Sequence, residues 1–337
     1  MAVASAEVTP YALPFKEPYE TARGVLDRRE MVLLRLRDQD GLTGLGEAVP
    51  LSLRGGAGVG QVVEELRGWD PGADPAGMSP PARCAARTAL LDLSARRRDE
   101  PLWRVLGADR AQPVLCNATL VGGPPLHVAQ QALAWEADGF HTFKLKLGGE
   151  ADAEAVRMVR QALDPSARLR VDANGVWDLE TAERTLAELA EQEIELAEQP
   201  VATLEEMADL RPRTVIPLAA DESVAGPEDA EKALLLGACD LVTVKISKTG
   251  NPDPGPIANR IPVYLSSALD GPVGIAAAAH AAQTLGGPLA HGLATQRLFA
   301  GSIASVACQL EGDRLHLPPG PGLGVEIDAA ALEAHRL

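Results

Sequence analysis

The sequence predicts an α/β fold: a modified (β/α)8 TIM-like barrel with an N-terminal α+β capping domain. Three observations support this. After Gln112, short apolar strands alternate with longer Ala/Leu/Glu-rich segments, the pattern of parallel βαβ units. Charged residues interrupt those strands about once per unit. At 337 residues the chain also exceeds one ordinary domain, which leaves room for a barrel and a smaller unit.

From Tyr11 to Pro50 the chain reads as strands, YALPF, MVLLRLRD and LTGLGEAV, with Asp40-Gly41 as a hairpin turn. Two helices follow. The better marked spans about 80–98, where Ala85, Ala89, Leu90 and Leu93 recur at helical spacing, and PLWRVLG adds a short turn. Eight barrel strands are expected at 114–120, 142–147, 168–174, 194–200, 216–223, 241–247, 263–270 and 289–295. Only KTGNPDPGPIANRIP joins the sixth to the seventh, and its prolines oppose a full helix, so helix six is expected to be short or absent. The expected boundaries are 1–105 for the capping domain, joined by the tail 315–337, and 106–314 for the barrel.

Acidic residues outnumber basic ones by 47 to 31, giving a net charge of -16. Such a balance argues against a nucleic-acid partner, which requires stripes of Lys and Arg. The first ten residues hold Glu7 and no apolar core of a signal peptide, and no stretch approaches 18 apolar residues. A cytoplasmic protein without a membrane partner is expected. Cys84, Cys116, Cys239 and Cys308 form no CxxC pair and are expected to be reduced, buried thiols.

The chemistry is read from the interrupting charges. Lys146, Asp172, Glu198, Asp221 and Lys245 are 26, 26, 23 and 24 positions apart, each near the C-terminal end of its strand. Parallel barrel strands have no solvated face, so an ionisable side chain there is costly unless it opens onto the mouth, which lies at the strand C-termini. Lys144 and Lys146 project to one face of their strand. Alone, VDANG reads as a helix cap and TFKLKL as an edge strand. Jointly, Asp172, Glu198 and Asp221 form an oxygen-only set suited to a hard divalent cation. A cation held on a substrate carboxylate stabilises the enediolate left by α-proton removal. Lysine serves as base when nearby cations, here Lys144 and the metal, depress its pKa. Lys245, on the opposite rim, is a second acid/base or a fixed cation. His280 and His291 lack partners at ligand spacing and are expected in core or rim roles.

The motifs KLK (144–146), VDAN (171–174), AEQP (197–200), AADES (219–223) and VKISK (244–248) resemble, in that order, the enolase superfamily and its muconate-lactonizing subgroup. The resemblance implies Mg2+ as cofactor, with Mn2+ as a substitute, on Asp172, Glu198 and Asp221. It implies Lys146 as base, Lys144 as its companion and Lys245 as the lysine across the site. Capping loops at 19–25 and 49–56 would close over the mouth. The His-Asp dyad of the mandelate racemase branch is not evident.

Within the subgroup the chain is most similar to the o-succinylbenzoate synthases, through SSALDG, GIAAAAHAA and RCAARTALLDLSARRR. This implies a small-molecule carboxylate substrate, 2-succinyl-6-hydroxy-2,4-cyclohexadiene-1-carboxylate, dehydrated on the way to menaquinone. Ser267, Asn174 and Arg23 are the expected substrate contacts. An N-acylamino acid racemase would use Lys146 and Lys245 as opposed bases and is the nearest rival. The paired aspartates of dipeptide epimerases are absent from LAHGLATQRL, muconate cycloisomerase rests on subgroup likeness alone, and a silent metal-binding barrel would keep buried charges without use. The Pro-rich sixth connection removes a usual association surface, so a monomer is expected.

Overall fold

The computed structural model describes residues 3–21, 24–52, 55–149 and 151–337. β1 (Val3–Thr21), β2 (Gly24–Asp38) and β3 (Thr43–Ala48) form an antiparallel sheet in that order. Alternate residues of β2 serve two cores, because successive side chains leave a strand on opposite faces. Val32, Leu34 and Leu36 pack with α1 (Val59–Gly68) and α2 (Pro80–Arg97), whereas Met31 and Leu33 join the core shared with the barrel. The helix α2 lies so close to β3 that a Cβ on Gly46 would stand 2.0 Å from the Ala85 carbonyl oxygen.

After α3 (Leu102–Val105) the expected first strand splits in two. β4 (Val114–Leu115) pairs antiparallel with residues 314–315, and β5 (Ala118–Leu120) opens the barrel. The barrel strands are β5, β6 (Thr142–Lys146), β7 (Arg168–Asp172), β8 (Ile194–Glu198), β9 (Leu218–Ala220), β10 (Leu241–Val244) and β11 (Val263–Leu265), seven parallel strands in sequence order. Between them run α4 (Pro125–Ala137), α5 (Asp152–Ala162), α6 (Leu179–Leu189), α7 (Leu204–Leu210) and α8 (Pro227–Leu236). Helix six is reduced to two four-residue pieces, α9 (Ile246–Thr249) and α10 (Gly255–Ala258), as the prolines require. α11 (Pro272–Ala282) follows β11.

The expected eighth strand at 289–295 is corrected to two pairing residues. His291 bridges Cys116 and Gly292 bridges Ser266, which closes the ring, and residues 294–298 turn into a 3-10 helix. Glycine weakens a strand interior, and Gly292 has no room for a side chain because a Cβ there would meet Ser266 Oγ at 2.6 Å. The C-terminal residues return to β1, where Ala12 N–H donates to the His335 carbonyl at 2.9 Å and Leu337 N–H to that of Pro10 at 3.1 Å.

Buried polar groups connect the layers. Asp92 on α2 accepts from Leu45 N–H at 2.8 Å and from Leu323 N–H at 2.6 Å. His280 on α11 accepts from Trp103 N–H at 3.1 Å and lies 3.2 Å from the Leu323 carbonyl, which fixes the neutral Nε2–H tautomer. Burial lowers the His280 pKa to about 4. The folded value lies below the unfolded one of about 6.5, so this stabilisation is full above pH ~6.5 and is lost as pH falls toward 4. Denaturant titrations of wild type and His280→Gln at pH 7.5 and 5 should therefore show wild type losing about 2 kcal/mol more than the variant.

Candidate active site

Parallel register builds the site. Lys146, Asp172 and Glu198 are successive cross-strand partners at the ends of β6, β7 and β8. Glu198 pairs with Ala219, so Asp221 stands two residues further along, just past β9, and Lys245 just past β10. This diagonal is the stagger that closing a barrel imposes. Every group thus reaches the C-terminal rim. Beneath them Leu196, Ala219, Leu241 and Tyr264 form a separate buried cluster.

Asp172, Glu198 and Asp221 are all 0% exposed, and each carboxylate is met by a lysine. Lys144 Nζ lies 3.0 Å from Asp172 Oδ2 and 3.1 Å from both Glu198 oxygens. Lys146 Nζ donates to Asp172 Oδ2 at 2.6 Å and to Asn174 Oδ1 at 3.1 Å. Lys245 Nζ donates to Asp221 Oδ2, and Lys248 Nζ to Asp221 Oδ1 at 2.8 Å and to the Asp221 main-chain oxygen. Tyr264 Oη donates to Glu198 Oε2, with the Arg170 guanidinium 4.8 Å from its ring centre.

The surrounding backbone fixes these positions. Gln199, at a left-handed φ of 38°, accepts through Oε1 from the N–H of Asp221 at 2.8 Å and of Ser223 at 3.2 Å. Asn174, also left-handed at 50°, donates its amide to Glu222 Oε1 at 3.1 Å while its N–H reaches Asp172 Oδ1 at 3.0 Å. Asn is among the side chains enriched at such angles, whereas Gln199 is held there by its bonds to the next strand.

Burial raises the Asp172 carboxyl, but Lys144 and Lys146 beside it hold it well below the usual range. Glu198 moves the other way, raised by burial and by Asp172. Burial works to lower Lys144 and Lys146, yet the adjoining carboxylates prevail and both are raised. A depressed Lys146 is therefore not what this arrangement gives. Lys144 pushes it down as expected, and Asp172 outweighs that effect.

With the lysines in place, no three Asp, Glu, His or Cys side chains among the described residues converge as ligands of one ion. The donor set nevertheless fits Mg2+: three buried carboxylates, oxygen only, on adjacent strands, two of them already sharing one cationic group in Lys144.

Of the expected substrate contacts, Asn174 stands beside Lys146. Ser267 has its hydroxyl engaged, donating to Asp270 Oδ2 at 2.7 Å and accepting from Asp270 N–H and Thr295 Oγ1, each at 2.8 Å. Arg23 lies outside the described residues, as do parts of both capping loops. His280 is buried and His291 half-buried, and both are bonded to backbone groups. The sequence reading passed over Lys248, Tyr264 and Arg170. Lys248 carried a usable signal: three positions after Lys245, it shares a face with it if the strand ends early and a helical turn begins.

A closed parallel barrel with an acid-and-lysine cluster at its C-terminal rim and an antiparallel sheet packed beside it places the protein among the α/β-barrel enzymes. The chain belongs to the enolase superfamily: the family described as Enolase C-terminal domain-like matches residues 127–331. Among relatives, muconate cycloisomerase 1 of Acinetobacter baylyi is 29% identical over 96% of this chain and 96% of its own. The o-succinylbenzoate synthase of Thermobifida fusca is 35% identical over 65% of this chain and 72% of its own. A dipeptide epimerase from Cytophaga hutchinsonii, solved with Mg and D-Ala-L-Val, is 26% identical, with a TM-score of 0.92 covering 99% of this chain and 98% of that one. No described helix is long and apolar enough to cross a membrane.

Removing Lys144 alone leaves Asp172 and Glu198 buried without their shared cation. In the metal-free protein, Lys144→Met should lower the unfolding free energy by about 3–5 kcal/mol in urea titrations.

Proposed function

We propose that the protein is a Mg2+-dependent o-succinylbenzoate synthase, which removes the α-proton of 2-succinyl-6-hydroxy-2,4-cyclohexadiene-1-carboxylate and expels its hydroxyl as water. The carrying observation is the placement of lysines around the acid triad. β6 and β10 are four strands apart in a closed ring, so Lys146 and Lys245 face each other across Asp172, Glu198 and Asp221. The resemblance through SSALDG and the identity with the Thermobifida fusca enzyme support the choice of substrate.

Asp172, Glu198 and Asp221 would hold the cation, which when bound supplies positive charge to the substrate carboxylate as the α-proton leaves. Lys146 is the base. Its Nζ, oriented by Asp172 and Asn174, takes the α-proton and, in a syn elimination, returns it to the departing hydroxyl. Lys144 opposes the burial that favours the protonated acids at Asp172 and Glu198, and would give way to a cation bound there. Lys245 stays protonated beside the developing negative charge.

Opposed lysines also suit a racemase of N-succinyl amino acids, with one base for each face of the α-carbon. A paired assay with Mg2+ separates the readings: dehydration of the cyclohexadiene carboxylate should exceed turnover of N-succinyl amino acids, and the reverse order would favour the racemase. Lys146→Ala should reduce dehydration by at least ~1,000-fold while the fold persists by circular dichroism. Unchanged turnover would exclude Lys146 as base. EDTA should abolish activity, with Mg2+ or Mn2+ restoring it.

A further inference from the structure

We propose that Arg83 and Arg87 of α2 are positioning residues, which clamp the far end of α9 and so hold Lys248 and Lys245 on Asp221. This rests on the reading above that Lys245 stays protonated beside the developing negative charge. α9 has four residues, with Lys245 as its N-cap. Its own bonds are few: Lys248 and Thr249 N–H donate to the Lys245 carbonyl at 2.9 and 3.0 Å, and Gly250 N–H, Asn251 N–H and Thr249 Oγ1 to that of Ile246 at 2.9, 3.2 and 3.1 Å. A single helical turn is unstable unless outside contacts hold it.

Those contacts come from the N-terminal part of the chain. Arg83 Nη2 donates to the Thr249 carbonyl at 3.2 Å, Arg83 Nε to that of Gly250 at 3.4 Å, and Arg87 Nη1 to the same oxygen at 3.2 Å. Two guanidinium groups thus meet the carbonyl end of the turn, the end that favours cations. Gly250 permits the approach. It has a left-handed φ of 67°, and a Cβ there would stand 2.5 Å from Arg83 Nε. Because helix six is fragmentary, the space behind β10 is a cavity of about 310 Å3, lined by Arg83, Arg87, Val244, Thr249, Asn251 and Ile257 among others. The turn therefore has open space where a full helix would buttress it.

The consequence reaches the site through one side chain. Lys248 leaves the same turn to meet both the Asp221 carboxylate and its main-chain oxygen, and Lys245 begins the turn. Movement of the turn by a fraction of an ångström would misplace two ammonium groups at once.

The test is hydrogen exchange and steady-state kinetics on the Mg2+-loaded full chain. In Arg83→Leu, amides at 246–251 should exchange at least about tenfold faster while those of β2 and β6 stay protected. The kcat for dehydration should fall about 10- to 100-fold with KM within about threefold, since misplacement of reacting groups penalises the chemical step. Arg83→Lys, which keeps one donor, should lie between the two proteins. Gly250→Ala, which displaces Arg83 from the other side, should reproduce the pattern if Arg83→Leu folds poorly. Wild-type exchange at 246–251 in both Arg83→Leu and Gly250→Ala, or faster exchange with unchanged kcat, overturns the proposal. A wild-type protein that does not dehydrate the substrate removes the functional reading instead, and exchange at 246–251 still decides whether the clamp exists.

Discussion

Three carboxylates removed from water at one end of a barrel must each have a partner, and most of the site follows from that constraint. An unpaired buried charge costs several kcal/mol, so Asp172, Glu198 and Asp221 could not persist on adjacent strands without compensation. Lys144 serves two of them, Lys146 returns to Asp172, and Lys245 and Lys248 converge on Asp221. Tyr264 then satisfies Glu198 from across the barrel, and the Arg170 guanidinium rests on the Tyr264 ring. The same pairings gather the carboxylates around shared positive charge, as a hard cation would. A lysine bound to such a carboxylate is a poor base, so in the proposed reaction Lys146 would be activated only when Asp172 is drawn to another positive charge.

The N-terminal sheet contributes through buried polar contacts as well as apolar area. Glu47 on β3 accepts from Gly271 N–H at 2.7 Å and Val273 N–H at 3.2 Å, at the start of α11. It also accepts from Tyr11 Oη at 2.8 Å. Burial raises its pKa to about 7, assisted by the nearby Asp270 charge. Asp92 and His280 join the same layers further back. The proposed clamp on α9 belongs with these contacts, since it lets an element outside the barrel bear on the turn that carries Lys245 and Lys248.

The barrel and the charged cluster at its rim were legible in the sequence because burial is unforgiving there. A Lys or Asp within a parallel strand has few structural explanations, and its recurrence with the βα period marked the rim. Strand ends were less legible. Residues 241–247 read as one apolar strand, but the chain bends at Lys245, which is why Lys248 escaped notice. The strand expected at 289–295 failed for a related reason: Gly292 allows close approach to Ser266 but gives a strand nothing to pack. Tyr264 and Arg170 looked like ordinary strand residues, and only the closed ring brings Tyr264 to Glu198 and to Arg170. Ser267 carried a hydroxyl in a suggestive motif, and Asp270, three positions on, takes it up.

The account depends most on the three carboxylates forming one cation site beneath the lysines. Calorimetric titration of the chelator-treated protein with Mg2+ tests this directly. One ion should bind per chain, and Asp172→Asn, Glu198→Gln and Asp221→Asn should each abolish binding while remaining folded. Absence of binding to the wild type, or binding that survives in all three variants, would contradict it.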